Sequence, residues 1–254
     1  APKNGAADLA RLVVPDKAIS AELLRVSNSA FFGRSGKVKV LRDALAVLGI
    51  KATKNLVIFL STKTMAAQYK SEIFRKYLNR YPIYAALVAQ AVAQETTLRA
   101  QADECFLAAL LHSIGMNIMA MQKQGHYSDM IEACEKNKWD IGKLEKQSYG
   151  TTHSLLGKRA AEAWKLPDIF QRLMEISPAT EYANLNEGLE KITYIAAVVA
   201  SALLEIPLSD AAKENAQRCY ADIGGTQNIL LRHASPDALA KIKAHPFAQL
   251  AAGS

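Results

Sequence analysis

The decamer Phe106-Leu107-Ala108-Ala109-Leu110-Leu111-His112-Ser113-Ile114-Gly115 lies inside a longer segment, Ala102 to Met121, that is apolar on nearly every face. A surface helix shows an apolar stripe and a polar face. Here Phe106, Leu107, Leu110, Leu111, Ile114, Ile118 and Met119 are spread around the helix, so the segment is expected to be central and buried. Leu189 to Leu204 is a second strongly apolar helix, ending near Pro207.

Helical spacing continues outward from these two. Pro82 opens a long helix to about Arg99, and proline suits a first turn. Tyr127 to Asn137 and Ile141 to Ser148 read as separate amphipathic helices. His153 to Trp164 follows Thr151-Thr152, a plausible N-cap. Leu166-Pro167-Asp168 breaks the chain, Ile169 to Glu175 restarts it, and Ser177 to Asn186 is the clearest polar loop. Toward the N-terminus, Asp16 to Asn28 is a helix with Ile19, Leu23, Leu24 and Val26 inward. Asn28 and Gly33 stop it. Leu41 to Leu48 is closed by Gly49, and Lys51 to Gln68 is another helix. Beyond Pro207 come two or three amphipathic helices, one starting at Ser235-Pro236-Asp237. Strand-like alternation is hard to find, so the fold class is all-α.

The 254 residues fit one large domain or two small ones, and half are apolar. Cys105, Cys134 and Cys219 are odd in number and widely spaced, which argues against a disulfide framework and against a cysteine zinc site. A reducing, cytoplasmic setting is expected. The longest apolar run, Ile195 to Leu204, is too short to span a bilayer, so no membrane role is expected. Ala1 to Arg11 has no apolar core of a signal peptide, and the missing initiator Met leads us to expect residues upstream. The net charge of +7 is uneven: Phe31 to Arg80 holds eleven Lys/Arg against Asp43 and Glu72, a net +9 that leaves the rest at −2. The plainer account is a solvated lysine-rich surface; the sharper one is a face for an anionic partner, with Lys37, Lys39, Lys51 and Lys54 as candidates.

Two regions together resemble the bacterial HDOD family, the HD-related output domain. The first is Ile19 to Gly33, an apolar helix ending in Leu23-Leu24-Arg25, then Asn28-Ser29-Ala30, an aromatic and a glycine. Ala44-Leu45-Ala46-Val47-Leu48-Gly49 and Asn55-Leu56-Val57 continue it. The second is Phe106 to Gly115, matched downstream by His153-Ser154-Leu155-Leu156-Gly157 and Trp164-Lys165-Leu166-Pro167. The resemblance runs from roughly residue 8 to 205 and rests on the ordered set of motifs. It implies a multi-helix, HD-like all-α domain: an N-terminal helical lobe over 1–80, a degenerate HD-like core over 81–205, and C-terminal helices over 206–254 packed on that core. It also implies bacterial signalling, with a protein partner of the cyclic di-GMP or two-component type.

The related HD phosphohydrolases hold metal with an early His, a His-Asp doublet and a late Asp. On that pattern this chain offers Tyr84, His112-Ser113 and Ala197. A serine hydroxyl is a poor ligand for a divalent cation beside a carboxylate. No His lies between Val40 and Leu110, and no Asp or Glu between Lys191 and Leu204, so a shift of a few residues does not restore the set. His112 and His153 without a carboxylate would bind metal weakly. No catalytic residue, metal or cofactor is therefore expected. The favoured reading of His112 is a buried helix histidine bonded to a neighbour; the other is a relic pocket of Tyr84, His112, Ser113 and His153. His112 and Ser113 point about 100° apart on a helix, which speaks against a nucleophile–base pair. Asn28 and Ser29 read first as a turn between helices and second as ligand contacts. Gly49 between two short helices superficially suggests a DNA-reading turn, but Asn55 falls where an apolar residue is wanted, and nucleic acid is not expected. The expected function is a non-catalytic signalling module working through protein contacts. The alternatives are a residual phosphohydrolase or cyclic di-nucleotide binder, and an unspecific nucleic-acid binder.

Overall fold

The computed structural model describes residues 17–28, 38–49, 53, 56–57 and 71–252. Every regular element among them is helical: α1 Lys17–Ser27, α2 Leu41–Leu48, α3 Tyr81–Gln94, α4 Ala102–Leu111, α5 Ile114–Asn137, α6 Ile141–Tyr149, α7 His153–Ala163, α8 Asp168–Leu173, α9 Gly188–Leu203, α10 Asp210–Asp222, α11 Ile229–His233, α12 Pro236–Ala244 and α13 Pro246–Ala252. The expected helix at Lys51–Gln68 lies almost wholly outside the described residues, as do Ser29, Ala30, Lys37, Lys51 and Lys54.

The centre is a three-helix contact of α3 and α4 with each other and with α9. Small residues make it: Ala85, Ala86, Ala89, Ala108, Ala109, Ala196, Ala197 and Ala200 are all fully buried. Ile83, Phe106, Ile192, Ile195 and Val198 fill the space between them, each contributing about 1.5–3 kcal/mol by leaving water. The same core takes in Leu23 and Val26 of α1, Cys219 and Tyr220 of α10, and Phe247 and Ala251 of α13. A second, smaller core of Phe74, Leu78, Met119, Tyr127 and Ile131 sits under α5. Arg99–Lys123 is long and apolar enough to cross a membrane, yet 78% of its apolar window is buried in the protein, as a core helix requires.

The helix expected to reach about Arg99 ends at Gln94, and three other boundaries differ for a local reason. Pro82 does not start a helix from coil. A short helical segment, Glu72–Phe74, and a wider π-helical turn, Arg75–Arg80, run straight into α3. Pro82 has no N–H for the carbonyl four residues back and its ring crowds that position, so the turn before it widens. The single helix expected over Ala102 to Met121 divides at His112-Ser113. In turn, α5 runs without a break through Gln122 to His126 and joins the central segment to the helix expected from Tyr127. Gln122, Lys123, Gly125 and His126 are exposed, and the helix stops at Lys138, in the left-handed region at φ 57°.

Candidate functional site

At the division between α4 and α5 the chain turns and leaves His112 facing inward, with its backbone N–H still bonded to Ala108 O at 3.0 Å. His112 Nδ1 lies 2.7 Å from Ala109 O. A carbonyl only accepts, so Nδ1 carries the proton and Nε2 is left as an acceptor. The Tyr81 hydroxyl lies 3.3 Å from Nε2 and donates to it. Burial pushes the His112 pKa down to about 4, which keeps the imidazole neutral. Burial likewise pushes the Tyr81 phenol's pKa up and holds it protonated, with Ser201 of α9 nearby. His112 is thus met by a hydroxyl and a backbone carbonyl.

Tyr84 and Ala197, the positions matched to the early His and late Asp, do not meet His112. Both are buried, but the side chain that bonds His112 is Tyr81, one turn before Tyr84; Ser201, one turn after Ala197, lines the same cavity. Ser113 is buried beside His112, and His153 comes to the same cavity from α7.

The approach of α7 is set by two glycines. A Cβ on Gly115 would stand 1.8 Å from His153 O and 2.9 Å from Gly157 N, so only a bare backbone fits there. Thr152 caps α7 by accepting from Leu155 N at 3.1 Å, and His153 is its first residue. His153 Nδ1 lies 2.8 Å from Glu145 Oε2, and its backbone N–H donates to the same oxygen at 2.8 Å. Glu145 Oε1 accepts from the Tyr127 hydroxyl at 2.6 Å. This fully buried carboxylate escaped the sequence reading. Its signal was present: Ile141, Leu144 and Glu145 stand at helical i, i+3 and i+4, so Glu145 lies on the apolar stripe of α6.

Tyr81, His112, Ser113, His153 and Ser201 open on one cavity of about 810 Å3, whose wall includes Trp139 and Glu135; Tyr84 is not part of it. Among the described residues no three His, Cys, Asp or Glu side chains cluster with the geometry of a metal site.

Asn28, in the other signature motif, makes backbone bonds. Its Nδ2 donates to Leu24 O at 3.0 Å and to Val38 O at 2.8 Å, and its Oδ1 accepts from Val38 N at 2.9 Å. It closes the chain excursion between α1 and α2, in line with the turn reading. Lys39 is exposed.

The HDOD domain family matches residues 1–179. The chain belongs to the HDOD family. An HDOD domain protein of unknown function from Geobacter sulfurreducens superposes with a TM-score of 0.73 at 18% identity, over 96% of this chain and 86% of that one. A protein from Marinobacter aquaeolei VT8, provisionally named a signal transduction protein, gives a TM-score of 0.69 at 20% identity, over 99% of this chain and 55% of that one. A protein from Shewanella amazonensis SB2B, provisionally named a phosphohydrolase, gives 0.67 at 19% identity, over 100% and 89%. At these identities the similarity establishes the HD-like helical fold. The comparison with curated proteins found no match.

Within this HDOD fold the site's chemistry follows from its donors. Tyr81, Ser113 and Ser201 are neutral hydroxyls, and His112 has both nitrogens engaged. The buried carboxylate nearest His153 is already occupied by three donors. Such a set can orient a polar ligand by hydrogen bonds. It supplies little of the converging negative charge that a divalent cation requires.

Proposed function

We propose that this HDOD protein is a non-catalytic signalling module that acts through protein–protein contact. The observation that carries this reading is the neutral surrounding of His112: the Tyr81 hydroxyl meets its Nε2 and the Ala109 carbonyl its Nδ1, and neither is a charged ligand of the kind metal-assisted hydrolysis needs. The provisional name of the Marinobacter relative, a signal transduction protein, agrees with it. The docking face is the basic N-terminal lobe, with a net +9 between Phe31 and Arg80, and the partner is an acidic protein surface.

The reading is tested by offering the purified protein Mn, Fe, Zn and Mg, measuring bound metal, and assaying phosphodiester hydrolysis with bis(p-nitrophenyl) phosphate. Far less than stoichiometric metal and no turnover are expected. Near-stoichiometric metal with turnover that disappears in His112→Ala would overturn the non-catalytic reading. Reversing the charge at Lys37, Lys39, Lys51 and Lys54 together is expected to weaken partner binding at least tenfold, and an unchanged affinity removes the docking face.

A further inference from the structure

The cavity beside His112 and His153 has the size of a small-molecule site, about 810 Å3. Three helices begin on its wall: α6 at Ile141, α7 at His153, and α10, whose cap Ser209 and first-turn Ala212 both line it. The N–H groups of a first turn have no acceptor inside their helix, and the helix dipole adds partial positive charge there. In α7 the His153 N–H goes to Glu145 Oε2 and the Leu155 N–H to Thr152. The Ser154 N–H has no acceptor among the described residues, and Ser154 lines the cavity.

The Ser113 side chain is an independent sign of a ligand. It is 6% exposed, lines the same cavity, and makes no hydrogen bond among the described residues. A buried hydroxyl without a partner is costly, and an acceptor on a ligand would satisfy it. Ser113 stands two residues before Gly115, whose close approach to His153 brings the start of α7 alongside. The charges point the same way. Glu135 is met by Lys76 Nζ at 2.6 Å and by the Tyr77 hydroxyl. Asp140 caps α6 by accepting from Lys143 N at 3.1 Å. Glu145, behind His153, is met by the Tyr127 hydroxyl and by the backbone and imidazole of His153. Lys138 lines the cavity, and its ammonium pairs with no carboxylate among the described residues. The carboxylates are therefore answered within the protein. The Ser113 hydroxyl, the Ser154 N–H and the Lys138 ammonium are donors left without an acceptor.

We infer that this cavity binds a small organic anion, whose carboxylate or phosphate takes the Ser113 hydroxyl, the Ser154 N–H and the Lys138 ammonium. A bare oxyanion would fill only a small part of the space, so the ligand has an apolar body as well. Met116, Ile131 and Ile206 wall that part of the cavity, and Trp139, 56% exposed, offers an indole face to it. The anion is held by hydrogen bonds, helix N-termini and one lysine, without a metal. Ligand occupancy would be the input of the module, although the inference stands whether or not the basic lobe is the docking face.

The test uses the full chain with Trp164→Phe, which leaves Trp139 as the only indole. Trp164 does not line the cavity. Phenyl phosphate, phenylacetate and uncharged benzyl alcohol are titrated with EDTA present while Trp139 emission is followed. A saturable response to at least one of the two anions is expected, at least tenfold tighter than to benzyl alcohol, and the tighter anion identifies the head group. Ser113→Ala is expected to weaken that anion at least fivefold. The Ser113 hydroxyl has no partner within the described residues, so this variant should keep its Tm. Lys138→Gln, at an exposed position, is expected to weaken the anion at least threefold and to make its affinity less sensitive to salt. No saturable response to either anion, benzyl alcohol binding as tightly as both, or full anion affinity in folded Ser113→Ala or in Lys138→Gln would each overturn the inference. With EDTA present none of these results bears on the metal and turnover assays, so the two readings fail separately.

Discussion

A carboxylate taken out of water must be met by donors or by opposite charge, and Glu145 is met by Tyr127, the backbone of His153 and the imidazole of His153. Glu145→Ala removes the acceptor for all three at once. Leaving buried donors unpaired costs on the order of 3 kcal/mol, and urea unfolding at pH 7 is expected to show a loss of that size. Glu145→Gln keeps one acceptor oxygen and should lose roughly half as much. A smaller loss for alanine than for glutamine would mean that Glu145 does not organise the site. Asn28 presents the same logic on the backbone. Asn28→Asp keeps the acceptor for Val38 N but turns an oxygen toward Leu24 O and Val38 O, both acceptors themselves. A loss of about 1–3 kcal/mol is expected, together with faster amide exchange at Val38. The two residues were not equally legible. Asn28 stands where helix α1 stops and reads at once as a turn-former. Glu145 is flanked by lysines at 143 and 146 that suggest a solvated face, and only its helical offset from Ile141 and Leu144 gives it away.

Helix α5 contains a controlled experiment in glycine. At Gly115 a methyl group would collide with the backbone of α7 at 1.8 Å, and backbone cannot step aside as a flexible side chain can. At Gly125, in the same helix, a Cβ would meet nothing within 4 Å. Gly115→Ala is therefore expected to destabilise by about 3 kcal/mol or more, because α5 and α7 must part and His153 moves with α7. Gly125→Ala is expected to be neutral or to stabilise by up to about 1 kcal/mol, since alanine is the better helix former. Equal effects in thermal unfolding would refute the close-contact role of Gly115. The sequence motif contained Gly115 and Gly157 but not the reason for them, since a crossing of two helices about 40 residues apart leaves no mark on periodicity. Helix existence was legible wherever one face was apolar. Boundaries were less so: the turn at His112-Ser113 and the continuity of α5 through Gly125 are decided by packing against α7 and the second core, not by local propensity.

Across the whole molecule, the C-terminal helices are tied to the centre by an ionic group that no short-range pattern announces. Glu95, just after α3, accepts from the Tyr220 hydroxyl at 2.5 Å and pairs with Arg232 and His233, partners 125 to 138 positions away. Burial alone would raise its pKa, but those hydrogen bonds outweigh burial and hold the carboxyl down to about 2. Burial lowers the pKa of His112 and of His245 to about 4 as well, but for an imidazole that favours the neutral form. The two kinds of group act in different pH windows. Each histidine is neutral in the folded protein yet takes a proton near pH 6.5 when unfolded. Between about 6.5 and 4 the unfolded chain binds more protons, so the stability present above pH 6.5 is eroded as the pH falls, by up to about 1.4 kcal/mol per pH unit for each histidine. Glu95 is ionised in the folded protein and takes a proton near 4.5 when unfolded, so its contribution is present above 4.5 and is lost as the pH falls toward 2. Urea unfolding from pH 7.5 to 2.5 should therefore show two limbs. The double variant His112→Asn, His245→Asn should flatten the upper limb and leave the lower one. Glu95→Gln should do the reverse and loosen α10 and α11, which amide exchange of those helices would report. A single limb, or an upper limb unchanged in the double histidine variant, would mean that these buried imidazoles do not hold the neutral form that the fold assigns them.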